Sequence, residues 1–76
     1  MKNNLQYVLR EQRSKKNISQ TEIAKILHVS QRVYSNYENG ECEPSIDTLI
    51  NMADYFGIPI DLLVGRYEIR KEKDNI

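Results

Sequence analysis

The chain has 76 residues and a mass of 8.9 kDa, enough for one small domain and too little for a second hydrophobic core. Hydrophobic residues at 39% and charged ones at 29% suit a folded domain rather than a disordered tail, and apolar runs of at most three residues exclude a membrane span. A formal net charge of zero, from 11 basic and 11 acidic residues, argues by itself against a uniformly basic surface.

That zero is a cancellation between halves. Residues 1 to 40 carry seven basic side chains against three acidic ones, and residues 41 to 76 carry four against eight. An anionic partner would therefore meet the first half. No apolar h-region follows Met1-Lys2, so no ordinary secretory signal is expected. The single cysteine, Cys42, excludes an internal disulfide and fits a cytoplasmic location. With one histidine and no glycine-rich phosphate loop, no catalytic residue, metal site or cofactor is expected.

In chain order, Leu5, Val8 and Leu9 make one helical stripe over about Asn4 to Lys15, with Asn3 or Asn4 as cap and Gln6 as a capping-box partner. Lys15 and Lys16 in its last turn either complement the helix dipole or touch phosphate. Ser19-Gln20-Thr21-Glu22 is a cleaner capping box, opening a helix that buries Ile23, Ala24 and Leu27. Ser30 caps a third helix that runs through Asn39 and stops at Gly40. After Pro44-Ser45, the residues Ile46, Leu49, Ile50, Ala53 and Phe56 form the most regular stripe, ending at Gly57. Pro59 at a first helical position opens a last turn carrying Ile60, Leu63 and Val64, closed by Gly65. Only Tyr67 and Ile69 alternate with period two, too briefly for a strand. The expected fold is all-α: a five-helix bundle with connections of two to five residues, spanning residues 1–65. A charged tail over 66–76 either frays or contributes to dimerisation.

The second and third helices carry the chemistry. Only His28 and Val29 lie between Leu27 and the Ser30 cap, which forces the steep crossing of a helix-turn-helix. Ala24 permits close approach, and His28 is expected to take a left-handed backbone. With Tyr34 and Tyr37 anchoring the third helix inward, Gln31, Arg32, Ser35 and Asn36 share its outward face. Gln and Asn can pair bidentately with adenine, Arg with guanine and Ser with either; Val33 at the rim can touch a thymine methyl. The helix N-termini at Ser19 and Ser30 present amides suited to phosphate oxygens.

Residues 5 to 65, from Ser19-Gln20-Thr21-Glu22 through Ala24 and Ser30-Gln31-Arg32 to Glu38-Asn39-Gly40, then Glu43-Pro44-Ser45 and Asp61-Leu62-Leu63-Val64-Gly65, resemble Cro/phage-repressor-type (Xre family) helix-turn-helix proteins. The resemblance implies a five-helix domain whose third helix enters the DNA major groove. It implies that Gln31, Arg32, Val33, Ser35 and Asn36 read bases or line the groove. It further implies that Gln20 grips a phosphate and buttresses the third helix, and that Asn39 and Gly40 meet the DNA backbone. Arg13 and Glu38 match a pair tying helix one to helix three. The departures are His28, where glycine is usual, and Pro59, where a serine cap is common.

Plainer readings stand beside these. By composition alone the outward face is a solvated surface; the tight turn, the caps and the family pattern favour the reading surface. Tyr34 and Tyr37 read as core with wet hydroxyls, His28 as a turn residue, and Cys42, between Glu41 and Glu43, as an unreactive thiol. The expected function is sequence-specific binding of double-stranded DNA by a transcriptional regulator, a repressor occupying an operator as a homodimer. Its interface would use Ile58, Pro59, Leu62 and Tyr67, with Ile26 and Met52 as second candidates. The alternative is an antitoxin or adaptor-type protein-interaction module on the same fold. No membrane or small-molecule ligand is expected as a partner.

Overall fold

Serine opens α2, α3 and α4 in the same way. In the computed structural model, which describes residues 4–64, the hydroxyls of Ser19, Ser30 and Ser45 accept from the amides of Glu22, Val33 and Thr48 at 3.1, 3.1 and 3.2 Å. Each satisfies one of the amides that a helix start leaves without a partner. The helices so bounded are α1 (Leu5–Lys16), α2 (Gln20–Leu27), α3 (Gln31–Asn39), α4 (Ile46–Phe56) and α5 (Ile60–Leu63). Only the serine half of the Ser19 capping box forms; Glu22 does not reach back. At α1 the cap residue is Asn4, without a side-chain cap bond. Its amide donates instead to the Val64 carbonyl at 3.1 Å, tying the start of α1 to the end of α5. Asn3, and with it the other capping-box reading of Gln6, lies outside the described residues.

Left-handed residues end the first four helices: Asn17 (φ 59°), His28 (φ 61°), Gly40 (φ 75°) and Gly57 (φ 71°). His28 takes the conformation expected of it, and Asn17, which the sequence reading passes over, does the same for α1. Both are among the side chains that visit this region most readily. Gly40 is constrained twice, since a Cβ there would run into the side-chain amide of Gln6 on α1. Pro59 sits at the cap of α5 rather than at its first helical position. The connection over residues 40–45 is one residue longer than the expected range. Among the described residues there is no strand, and no helix is long and apolar enough to cross a membrane. Gly65 and Tyr67 fall outside them, as does the tail over 66–76.

The core draws Leu5 and Leu9 from α1, Ile23, Ala24 and Leu27 from α2, Tyr34 and Tyr37 from α3, Met52, Ala53 and Phe56 from α4, and Leu63 from α5. The two tyrosines meet edge to face, ring centroids 6.2 Å apart. Lys16 lies 4.9 Å over the ring of Tyr55, so its placement against α4 is a cation–π contact. In α4 the expected stripe is rotated. Ile46 is 73% exposed and Ile50 41%, whereas Met52 is fully buried. The stripes 46-49-50-53-56 and 49-52-53-56 share Leu49, Ala53 and Phe56, and both have helical spacing. Packing against α2 and α5 selects the second. Met52 is thereby removed from the interface candidates, and Ile60, expected inside, is 38% exposed.

This register makes a stability test that hydrophobicity alone would invert. Met52→Ala should cost about 2–5 kcal/mol in urea denaturation, and Ile46→Ala should stay within about 0.5 kcal/mol of the parent.

Candidate nucleic-acid interface

The turn between α2 and α3 is locked by its own backbone. The amide of His28 donates to the Lys25 carbonyl at 3.1 Å and that of Val29 to the Ala24 carbonyl at 3.0 Å. Ala24 is buried where the two helices pack. Gln31 and Arg32 are exposed on α3, Ser35 and Asn36 are half-exposed, and Asn39 and Gly40 are exposed at its end. Val33 is half-buried and packs against the core, which agrees with a rim position. Ser19 and Ser30 are exposed beside this face, and Gln20 is half-buried between it and the interior.

Beneath the face lies a polar network around Glu38, which is 2% exposed. Arg13 donates from Nε to Glu38 Oε2 at 2.6 Å and from Nη2 to Oε1 at 3.3 Å. The Tyr34 hydroxyl donates to Oε2 at 2.7 Å, and Gln20 Nε2 donates to Oε1 at 2.9 Å. Gln20 Oε1 in turn accepts from Gln31 Nε2 at 3.0 Å. Arg13 also donates through Nη1 to the Ile18 carbonyl at 2.9 Å, fixing the turn between α1 and α2. The Arg13–Glu38 pair thus exists as expected. The Tyr34 hydroxyl, expected to be wet, is instead buried and bonded to Glu38.

Two features escape the sequence reading. Gln20 and Gln31 are joined, although they are eleven residues apart and both looked like independent surface groups. Arg10, exposed on α1, donates to Asn39 Oδ1 at 3.2 Å and so brings a cation to the end of α3. Only the Tyr34–Glu38 contact had a local signal, the i, i+4 spacing of two polar-tipped residues on one helix. Just past Gly40 the surface turns acidic: Glu41 and Glu43 are exposed, and the Glu41 amide is tied to the Asn36 carbonyl at 2.9 Å.

Residues 9–63 match a protein-family model described as helix-turn-helix. The chain belongs to this family, of the Cro/C1 type. Among curated relatives, the helix-turn-helix domain is 32% identical over 66 residues to the transcriptional regulator ImmR of Bacillus subtilis, covering 87% of this chain and 52% of that protein. It is 37% identical over 59 residues to the cryptic phage CTXphi transcriptional repressor RstR of Vibrio cholerae, covering 78% and 53%. The chain therefore spans about half the length of the curated relatives it matches. In three dimensions it superposes on a transcriptional regulator from Listeria innocua with a TM-score of 0.81 and 32% identity, over 86% of this chain and 61% of the other. It also superposes on the DNA-binding domain of the P22 c2 repressor with a TM-score of 0.74 and 26% identity, over 80% of each.

The electrostatics of the helix-turn-helix domain centre on Glu38. Burial opposes its ionisation, but the hydrogen bonds from Arg13, Tyr34 and Gln20 and the guanidinium charge outweigh burial and hold the carboxyl below its ordinary value. Burial and the adjacent carboxylate push the Tyr34 phenol up, so it stays a donor. Because the carboxyl is depressed in the folded state, its contribution is present above the unfolded value of about 4.3 and is lost as pH falls through the folded one. Glu38→Gln should therefore cost roughly 3 kcal/mol at pH 7, as for a broken buried pair. The gap between parent and variant, read by urea denaturation, should narrow as pH drops below about 4.

Proposed function

We propose that this helix-turn-helix domain binds double-stranded DNA sequence-specifically, with α3 in the major groove, and that it serves a transcriptional regulator that represses by occupying an operator. One observation carries the reading: Gln31, Arg32, Ser35 and Asn36 lie on the accessible side of a helix whose opposite side is anchored by Tyr34 and Tyr37. Amides and a guanidinium in that arrangement match the donor and acceptor pattern of base edges, with Val33 at the rim for a thymine methyl. Ser19, Gln20, Ser30, Asn39 and Gly40 surround that line and are suited to phosphate oxygens. Arg10 adds a positive charge near Asn39. The names of the relatives, regulators and phage repressors, point the same way.

A single helix-turn-helix unit reads few base pairs, so we propose a homodimer on half-sites about 34 Å apart. Leu62, 41% exposed on α5, and Pro59, exposed at its cap, keep their places among the interface candidates. Ile58 packs partly on the core, and Ile26 is 43% exposed on α2. Ile46 and Ile50 on α4 add apolar surface that hydrophobic patterning had assigned to the interior. The same exposed apolar surface also suits the alternative, a protein-interaction module of the antitoxin or adaptor type.

Selection from a random duplex library at two salt concentrations should return a half-site repeated at one helical turn, with affinity falling steeply as salt rises. On that site Asn36→Ala should cost about 1–3 kcal/mol and relax the choice at one base pair. Parent-like binding by this variant would remove Asn36 from the reading surface. A stable protein partner together with no salt-sensitive DNA binding would favour the interaction module. Leu62→Asp should preserve occupancy of an isolated half-site and abolish joint occupancy of two, as read by gel mobility.

A further inference from the structure

The hydrogen-bond chain that starts at Glu38 can run in only one direction. An ionised carboxylate has acceptors and no donor. Its four acceptor positions are filled by Arg13 twice, Tyr34 and Gln20. Only the amino end of the Gln20 amide can face it, so Gln20 Oε1 points the other way. That oxygen accepts from Gln31 Nε2 at 3.0 Å, and because an oxygen supplies no proton, the amino end of Gln31 must face Gln20. Gln31 is left with its Oε1 and one N–H free.

We propose that Glu38 is a positioning residue for base recognition: acting through Gln20, its carboxylate fixes which way the Gln31 amide faces the groove, and so makes Gln31 a reader of adenine against guanine. The inference rests on the DNA-binding reading above. One acceptor and one N–H side by side complement the N6 amino group and N7 of adenine. Guanine offers acceptors at both O6 and N7, and pairing with both takes two N–H groups. One of Gln31's is already engaged, and its Oε1 would oppose O6. Without the carboxylate, Gln20 is free to turn over and donate to Gln31 Oε1. Gln31 would then reverse, present both N–H groups and accept guanine. An apolar residue at position 38 could pack the helices together; only a buried group that accepts and never donates sets this order. Its anchoring from α1 by Arg13 and from α3 by Tyr34 keeps it from following the amides when they move.

Gln20→Met is the discriminating variant, since it keeps the length of the side chain and breaks the chain of bonds without removing the buried charge pair. The probes are the duplex obtained by library selection and the same duplex with A·T changed to G·C at the base pair whose preference Gln31→Ala abolishes. The parent should prefer adenine there by roughly 5- to 150-fold, the range of one bidentate pair. Gln20→Met should reduce that ratio below about threefold. Loss of a phosphate contact by Gln20 weakens both duplexes alike and cancels from the ratio. In the Gln31→Ala background, Gln20→Met should leave the ratio unchanged. Retention of the adenine preference by Gln20→Met, or a G·C pair at the position Gln31 reads, overturns the proposal. In the DNA-free protein the Gln20 side-chain amide protons should exchange more slowly than those of a solvated glutamine, and faster in Glu38→Gln wherever circular dichroism shows it folded. Unprotected Gln20 protons in the parent overturn the relay whether or not DNA binds. Absence of salt-sensitive, sequence-dependent binding by a parent whose Gln20 is protected overturns the DNA-binding reading, and with it the assignment of adenine.

Discussion

The buried carboxylate of Glu38 is the constraint on which the rest of the helix-turn-helix domain depends. It belongs to α3, and it is met by a guanidinium from α1, an amide from α2 and a phenol one turn back on its own helix. Removing a charge from water costs several kcal/mol unless donors surround it closely, and here every acceptor position is taken. The three helices are therefore held at one relative orientation, which apolar contacts alone would fix less sharply. Through Arg13 the same group also pins the turn between α1 and α2.

Orientation matters because the outward face of α3 is only a few side chains wide. Base edges are distinguished by the order of donors and acceptors, so a small rotation of the helix changes what each side chain meets. The tyrosines hold α3 from inside, and the left-handed His28 and Gly40 set where it begins and ends. The charge distribution follows the same division. Arg10, Arg32 and the serine-capped helix starts flank the reading face, while Glu41 and Glu43 begin an acidic margin immediately past it. A net charge of zero is thus compatible with an anionic partner on one side of the molecule.

Much of this could be read from residues in a row. The serine caps, the left-handed stops at His28, Gly40 and Gly57, and the tight α2–α3 connection each depend on interactions within four or five residues, which the local chemistry specifies. The outward placement of Gln31, Arg32, Ser35 and Asn36 followed once two bulky tyrosines three residues apart had defined the inside. The α4 register could not be read, because two stripes with the same period share most of their residues, and an isoleucine looks more buriable than a methionine. What packs against the helix decides between them, and that information lies on α2 and α5.

The sequence by itself therefore determined the five helices, their approximate limits and the candidate reading face, since each is fixed by nearest neighbours along the chain. Only the tertiary structure decided that Met52 goes inside while Ile46 and Ile50 stay out, that the Tyr34 hydroxyl is dry, and that Gln20 bridges Glu38 to Gln31. Those outcomes depend on groups eleven to twenty-five residues apart meeting at hydrogen-bond distance. Which partner a polar side chain finds at that range is settled by how the helices pack.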